Sequence, residues 1–212
     1  MKQAMKFVAL AVALLAQGPV QAQAPAAAPQ VRAADPVAAH HTRISDEIVQ
    51  RTHVQVPLGQ VQLVREDGMS VSLNDLLLMD RPAYVDFIYT TCTALCPIMS
   101  ATFAALQDKL GAARDKVNLI SISIDPEEDT PRRLREFRKK YDAGDEWHFY
   151  TGSLEQSIAA QRAFGVFTGD KMQHAPVTLF RAAPDAAWVR FDGFVTPEDL
   201  YRELPKPQAA VK

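Results

Sequence analysis

Cysteine is scarce. The 212-residue chain has two, Cys92 and Cys96. At most one bridge can form between them. Closing so short a loop stabilises a fold by only about 2 kcal/mol on the chain-entropy model, so a purely structural staple is a poor account of the pair. A basic surplus is also missing. The formal net charge is −2, which leaves no spare cations for phosphate and argues against nucleic acid as a partner. The apolar run Phe7–Ala16 is too short for a comfortable membrane span, and no cysteine lies near a cleavage site behind it to carry a lipid. What is present is ordinary globular material. A 48% hydrophobic content can build a core, and the length allows one substantial domain with appendages.

The N-terminus reads as an export signal. Lys2 and Lys6 precede the apolar run, and Val20-Gln-Ala22 and Ala22-Gln-Ala24 both offer small residues at cleavage spacing. Residues 1–24 are therefore expected to be a cleavable signal peptide, with an uncleaved anchor as the minority reading. The destination would be a bacterial periplasm, where disulfides are permitted. Residues 25–53 are expected to form a flexible tether, rich at first in Ala, Pro and Gln. His40-His41 in it is read as polar tail rather than a metal site. The folded domain is expected over 54–204, with a polar tail over 205–212.

Within the domain, Val61–Val64 and Met69–Leu73 flank Glu66-Asp-Gly68, a turn signal for an N-terminal β-hairpin. Ala83–Tyr89 is almost continuously apolar, as a strand covered on both faces would be. Met99, Phe103, Leu106 and Leu110 recur at helical spacing, with Pro97 in the first turn and Gly111 at the end. Val117–Ile124 is a second buried strand. Thr130 or Asp129 caps the next helix. The second half adds a short strand at Trp147–Tyr150, a helix over Leu154–Phe164, an antiparallel pair at Val177–Phe180 and Trp188–Phe191, and a helix capped by Thr196. The order predicts an α/β, three-layer, thioredoxin-like fold with a mixed central sheet, an N-terminal β-hairpin and an inserted segment.

The cysteines fall where the first parallel strand runs into its helix, the usual place for chemistry in an open α/β sheet. Four residues apart on a helical turn, their Cα atoms lie roughly 6 Å from each other, within disulfide range. A redox-active bridge and a two-thiolate metal pincer are both feasible. The helix N-terminus should lower both thiol pKa values. His174 precedes the Val177 strand, so the fold carries it towards the same turn. Two thiolates and an imidazole suit copper in either oxidation state; zinc would want a fourth ligand. Met99 fits the apolar stripe of its helix, which leaves Met172 as the better thioether candidate. The acidic run Glu127-Glu128-Asp129, flanked by prolines, reads as a solvated loop and helix start.

Thr90-Thr-Cys-Thr-Ala-Leu-Cys-Pro97, then Ser123-Ile-Asp-Pro-Glu-Glu-Asp-Thr-Pro131, then His174 before a strand resembles the SCO/SenC family. These are thioredoxin-fold, copper-handling proteins tied to assembly of the CuA site of cytochrome c oxidase. The resemblance covers about Val56 to Leu204. It implies that Cys92 and Cys96 are redox-active copper ligands, that His174 is the third ligand, and that Asp125 lies beside the site outside the ligand set. Asp125 also has a simpler reading, as a turn residue of its loop. Pro176 resembles the proline that packs against the dithiol of thioredoxins in a cis bond; a trans loop proline is an equally ordinary reading.

Two functions follow as expectations. One is a periplasmic copper chaperone that serves an apo-cuproenzyme, such as the CuA-bearing oxidase subunit, through Cys92, Cys96 and His174. The other is a thiol–disulfide oxidoreductase that needs Cys92 and Cys96 but not His174, recharged by a periplasmic thiol reductant. A peroxidase of the same fold is disfavoured, because no proline-and-threonine loop is properly placed before Cys92. A passive interaction module would tolerate loss of both cysteines. With no large apolar interface in evidence, a monomer is expected.

Overall fold

The computed structural model describes residues 49–205. The expected signal peptide, the His40-His41 pair, nearly all of the expected tether and nearly all of the expected C-terminal tail lie outside the described residues. Among the described residues, no helix is long and apolar enough to cross a membrane.

Eight strands form one mixed sheet: β1 (Gln50–Val54), β2 (Gln62–Arg65), β3 (Ser70–Ser72), β4 (Ala83–Ile88), β5 (Asn118–Ser123), β6 (Trp147–Thr151), β7 (Val177–Arg181) and β8 (Trp188–Asp192), in the order β1-β8-β7-β4-β5-β6-β2-β3. The pairs β4–β5 and β5–β6 are parallel; every other pair is antiparallel. Residues 50–53, expected as tether, instead pair with β8 as an edge strand, Gln50 opposite Asp192 and His53 opposite Val189. The side chains of this strand are mostly exposed. Its pairing is carried by the backbone, so it left no hydrophobic pattern to read.

Among the described residues, five α-helices accompany the sheet: α1 (Leu73–Leu77), α2 (Leu95–Leu110), α3 (Pro131–Lys140), α4 (Leu154–Ala163) and α5 (Pro197–Glu203). Alternation along β4 assigns the layers. Tyr84 points to one face, where its ring meets Phe103 of α2 and its hydroxyl donates to the Leu200 carbonyl of α5 at 2.6 Å. Phe87 points to the other face and meets Phe164, just past α4. Trp147 and Phe149 of β6 join Phe103 and Phe137 of α3 on the first face. Every residue of β4, β5 and β7 is buried, because both faces are covered. The thioredoxin-like three-layer reading is the observed architecture.

Local chemistry sets the boundaries. Asp67-Gly68 makes the hairpin turn, with Gly68 at φ 94. Glu66 of that turn is buried rather than exposed. It accepts the Phe149 N–H at 3.0 Å and meets His148 Nδ1 at 2.8 Å, which docks the hairpin on β6. Gly111 stops α2 at φ 52. Thr130 caps α3 by accepting the Arg133 N–H, and Thr196 and Asp199 make a reciprocal capping box on α5.

Candidate metal centre

β4 ends at Ile88, and a turn closed by the Cys92 N–H on the Tyr89 carbonyl (3.1 Å) leads into α2. The residue at the helix cap, Ala94, has no side chain able to accept a hydrogen bond. Cys92 takes that place: its Sγ accepts the backbone N–H of Cys96 at 3.4 Å. Pro97 follows and brings no N–H of its own, so the first turn is satisfied by a sulfur. Both cysteines are free thiols, Cys92 partly exposed and Cys96 fully buried.

The two thiols are unequal, which corrects the expectation that both are acidified. Burial opposes the Cys92 thiolate. The N–H groups of Cys96 and Ala94, the Cys96 thiol and the Tyr89 hydroxyl outweigh it and bring Cys92 down to about 7. Burial pushes Cys96 far above the ordinary thiol range, and the neighbouring charges of Cys92 and Asp86 push the same way. The Tyr89 N–H on its Sγ at 3.5 Å offsets only part of this. The helix N-terminus serves one sulfur because the second points into the core.

His174 closes a short 3-10 turn, Lys171–Gln173, and is 5% exposed. Its Nε2 lies 3.1 Å from the carbonyl oxygen of Phe87, near the end of β4. A carbonyl can only accept, so Nε2 carries the proton and the neutral ring keeps its lone pair at Nδ1. Burial lowers the His174 pKa, which holds the ring neutral. The fold thus brings the histidine to the strand end from which the cysteine turn departs. Among the described residues, no three His, Cys, Asp or Glu side chains converge closely enough to hold one ion. The two sulfurs are already together; the imidazole is anchored to the backbone near the end of β4, from which their turn departs.

The turn that carries His174 is strapped down. Asp170 Oδ1 accepts the Met172 N–H at 2.9 Å, and Lys171 Nζ meets Asp125 Oδ2 at 2.5 Å while lying 5.7 Å from the Tyr89 ring centre. The Asp125 carbonyl also accepts the N–H groups of Glu128 and Asp129. Asp125 is therefore both a turn former and the anchor of the histidine turn. Pro176 follows a trans bond, since no cis peptide occurs among the described residues. Its carbonyl accepts the Gly193 N–H at 2.9 Å and sets the start of β7.

Two acidic residues differ from what the sequence leads one to expect. Asp129, expected in a solvated loop or as a helix cap, is fully buried. It accepts the Thr90 N–H at 3.1 Å, the Thr90 hydroxyl at 2.5 Å and the Ser123 hydroxyl at 2.6 Å. It fastens the cysteine turn to the end of β5. The Thr130-Pro131 pair was the available signal: it starts the helix one residue later and leaves Asp129 facing back. Asp86 lies on the α2 face of β4, fully buried, with no hydrogen-bond partner for either oxygen. Burial raises its pKa to about 7, offset in part by Ser121, its neighbour across β5. A single Asp inside an apolar run gave no such warning.

Met99 is buried, as its stripe predicted, and Met172 is exposed.

A sequence model described as SCO1/SenC matches residues 50–183. The SCO1 protein homolog of Bacillus subtilis is 40% identical over 94 residues, covering 44% of this chain and 48% of that protein. Protein SenC of Rhodobacter capsulatus is 32% identical over 121 residues, covering 57% and 53%. The chain thus spans about half the length of these curated relatives. Among solved structures, BsSco, a member of the Sco family of cytochrome c oxidase assembly proteins, is 29% identical with a TM-score of 0.60, covering 72% of this chain and 93% of that one. Bradyrhizobium japonicum ScoI with copper bound is 26% identical with a TM-score of 0.58, covering 69% and 98%.

Proposed function

The chain belongs to the SCO1/SenC family, and from that premise we propose that it is a copper chaperone whose cargo is held by Cys92, Cys96 and His174. The observation that carries this reading is the pairing of one acidified, partly exposed thiol with one buried thiol at a helix start, beside a neutral imidazole with its Nδ1 lone pair unprotonated. Cu(I) would bind the Cys92 thiolate first. The Cys96 thiol then gives its proton to solvent as the second sulfur–copper bond forms. Thiolates satisfy Cu(I), and the imidazole nitrogen adds the harder donor that Cu(II) wants. The His174 ring would have to turn towards the sulfurs to complete the set.

The client is an apo-cuproenzyme, the CuA-bearing subunit of a cytochrome oxidase being the one that the family's role favours. Residues 1–24 act as a cleavable export signal, residues 25–49 as a tether, and the domain works in the periplasm as a monomer. Asp125 supports the histidine turn without ligating. The test is anaerobic copper titration of the reduced chain beside His174→Ala. One tightly bound equivalent, with a sulfur-to-copper band on oxidation that the variant loses, supports the reading. No specific copper contradicts it.

A second reading is favoured by the thiol asymmetry alone. The Cys92 thiolate attacks a client disulfide, one client sulfur leaves as thiolate, and Cys96 then attacks Cys92 Sγ to free the other. The client gains two electrons, and the Cys92–Cys96 disulfide forms. A periplasmic thiol reductant would reset it. This route leaves His174 idle, so full client reduction by His174→Ala is its signature.

A further inference from the structure

We propose that Met172 is a receiving ligand for Cu(I): its Sδ takes the ion at the surface and passes it to Cys92 Sγ, from which the ion moves inward to Cys96. The inference rests on the copper-carrier reading and adds the route by which the ion arrives.

Access decides the order of sulfurs. Cys96 is 0% exposed, and Met99 is packed under α2. An ion from solvent cannot meet either first. Cys92 is partly exposed, and Met172, at 74%, is the most exposed of the large apolar side chains among the described residues. An exposed methionine alone carries no message. This one has a partner. The Tyr89 hydroxyl donates to Met172 Sδ at 3.7 Å, and the Tyr89 carbonyl accepts the Cys92 N–H at 3.1 Å. One residue therefore touches the thioether with its side chain and closes the cysteine turn with its backbone. The turn that carries the thioether is also held, because Asp170 caps it and Lys171 ties it to Asp125.

The donor chemistry fits a handover. A thioether is soft and neutral, so it accepts Cu(I) without losing a proton and releases it to a stronger donor. As the Met172 sulfur–copper bond forms, a ligand of the donor complex leaves. As the Cys92 sulfur–copper bond forms, the Met172 bond breaks. Copper stays Cu(I) throughout and no electron moves. Tyr89 gives up its hydrogen bond to Met172 Sδ when the sulfur lone pair is engaged. The path runs from an exposed thioether, to a partly exposed cysteine sulfur at the mouth, to a buried cysteine sulfur.

The test is stopped-flow mixing of reduced full-length chain with the Cu(I)–bicinchoninate complex under anaerobic conditions, following loss of the probe colour. Met172→Ile keeps the bulk and removes the thioether; Met172→Ala removes both. Met69→Ile, at the exposed methionine of the β2–β3 turn, is the control. Loading and chelator-driven release should both slow about tenfold in Met172→Ile and Met172→Ala, the scale of losing one weak ligand from a transition state, while Met69→Ile matches the parent. A side chain that merely blocks the mouth would instead make Met172→Ala faster. Equal rates in parent and both Met172 variants, or a faster Met172→Ala, overturn the proposal while leaving the carrier reading intact. A parent chain that takes no copper from the probe overturns both.

Discussion

The backbone N–H of Cys96 donates to Sγ of Cys92 at 3.4 Å, so the first cysteine caps the helix that carries the second. One contact contributes both to the acidity of the outer thiol and to the capping of α2.

Alkylation should therefore separate the two thiols in the reduced, metal-free chain. Iodoacetamide is expected to modify Cys92 with a pH profile centred near 7, the value the capping N–H groups give it. Cys96, buried and pushed upward, should stay unmodified until the chain unfolds. Peptide mapping by mass spectrometry reads both. Equal labelling at neutral pH would show that the asymmetry is absent.

Losing the sulfur cap should also cost stability. Cys92→Ala leaves the Cys96 N–H without its acceptor and is expected to lose about 1 kcal/mol in urea unfolding, the usual cost of removing a helix cap. Cys92→Ser, which keeps an acceptor, should lose less.

Asp129 should prove structural for the cysteine turn. Asp129→Asn replaces a carboxylate that accepts from Thr90 and Ser123 with an amide that cannot accept from all of them. A loss of about 2–3 kcal/mol is expected, the scale of hydrogen bonds to a buried charged group. Amide exchange at Thr90 should rise with it. Unchanged protection of that amide would argue that the anchor is dispensable.

Asp86 should give stability a slope with pH. An unfolded Asp titrates near 4, and burial holds the folded one at about 7. Between these values the folded chain keeps a proton that the unfolded chain has released. Stability is full below pH 4, falls as pH rises through the window, and levels above 7. Asp86→Asn lacks this slope. The variant should gain on the parent by about 1 kcal/mol per pH unit from 4 to 7, read by urea unfolding at several pH values. Parallel pH curves would contradict an unpaired, protonated Asp86.

Lys171 should act on the histidine rather than on the fold. Its side chain is partly exposed, while its partner Asp125 is nearly buried. Lys171→Met is expected to leave the thermal midpoint within a degree or two, as surface ion pairs contribute little, yet to speed amide exchange across 171–174. A copper-loaded form should show altered Cu(II) EPR parameters. Unaltered exchange and EPR would remove Asp125 and Lys171 from the account of the site.

Much of this was legible in the sequence because several signals agreed. The apolar run at Ala83–Tyr89, the Pro97 start, the Gly111 stop and the Thr130 and Thr196 caps all describe local backbone chemistry, and all stand in the structure. The cysteine pair was visible for the same reason: spacing along one helix turn is a local property. What escaped depends on contacts between distant segments. The β1 edge strand has no apolar alternation, since its neighbour β8 supplies only backbone. The burial of Asp129 and Glu66 needs β5 and β6 in place. The unequal thiols needed the direction in which Cys96 points, which a four-residue spacing does not state. The trans bond at Pro176 was open in the sequence, which does not state the isomer.

The central claim is that Cys92, Cys96 and His174 together hold copper. The most direct test is anaerobic Cu(I) titration of the reduced chain and His174→Ala, then oxidation to Cu(II) with absorption and EPR spectra. The account predicts one tight equivalent in the parent, a sulfur-to-copper charge-transfer band with nitrogen coupling, and loss of both spectral features in the variant. Identical spectra and affinity in the two proteins would contradict His174 as a ligand. Absence of stoichiometric copper in the parent would contradict the claim as a whole.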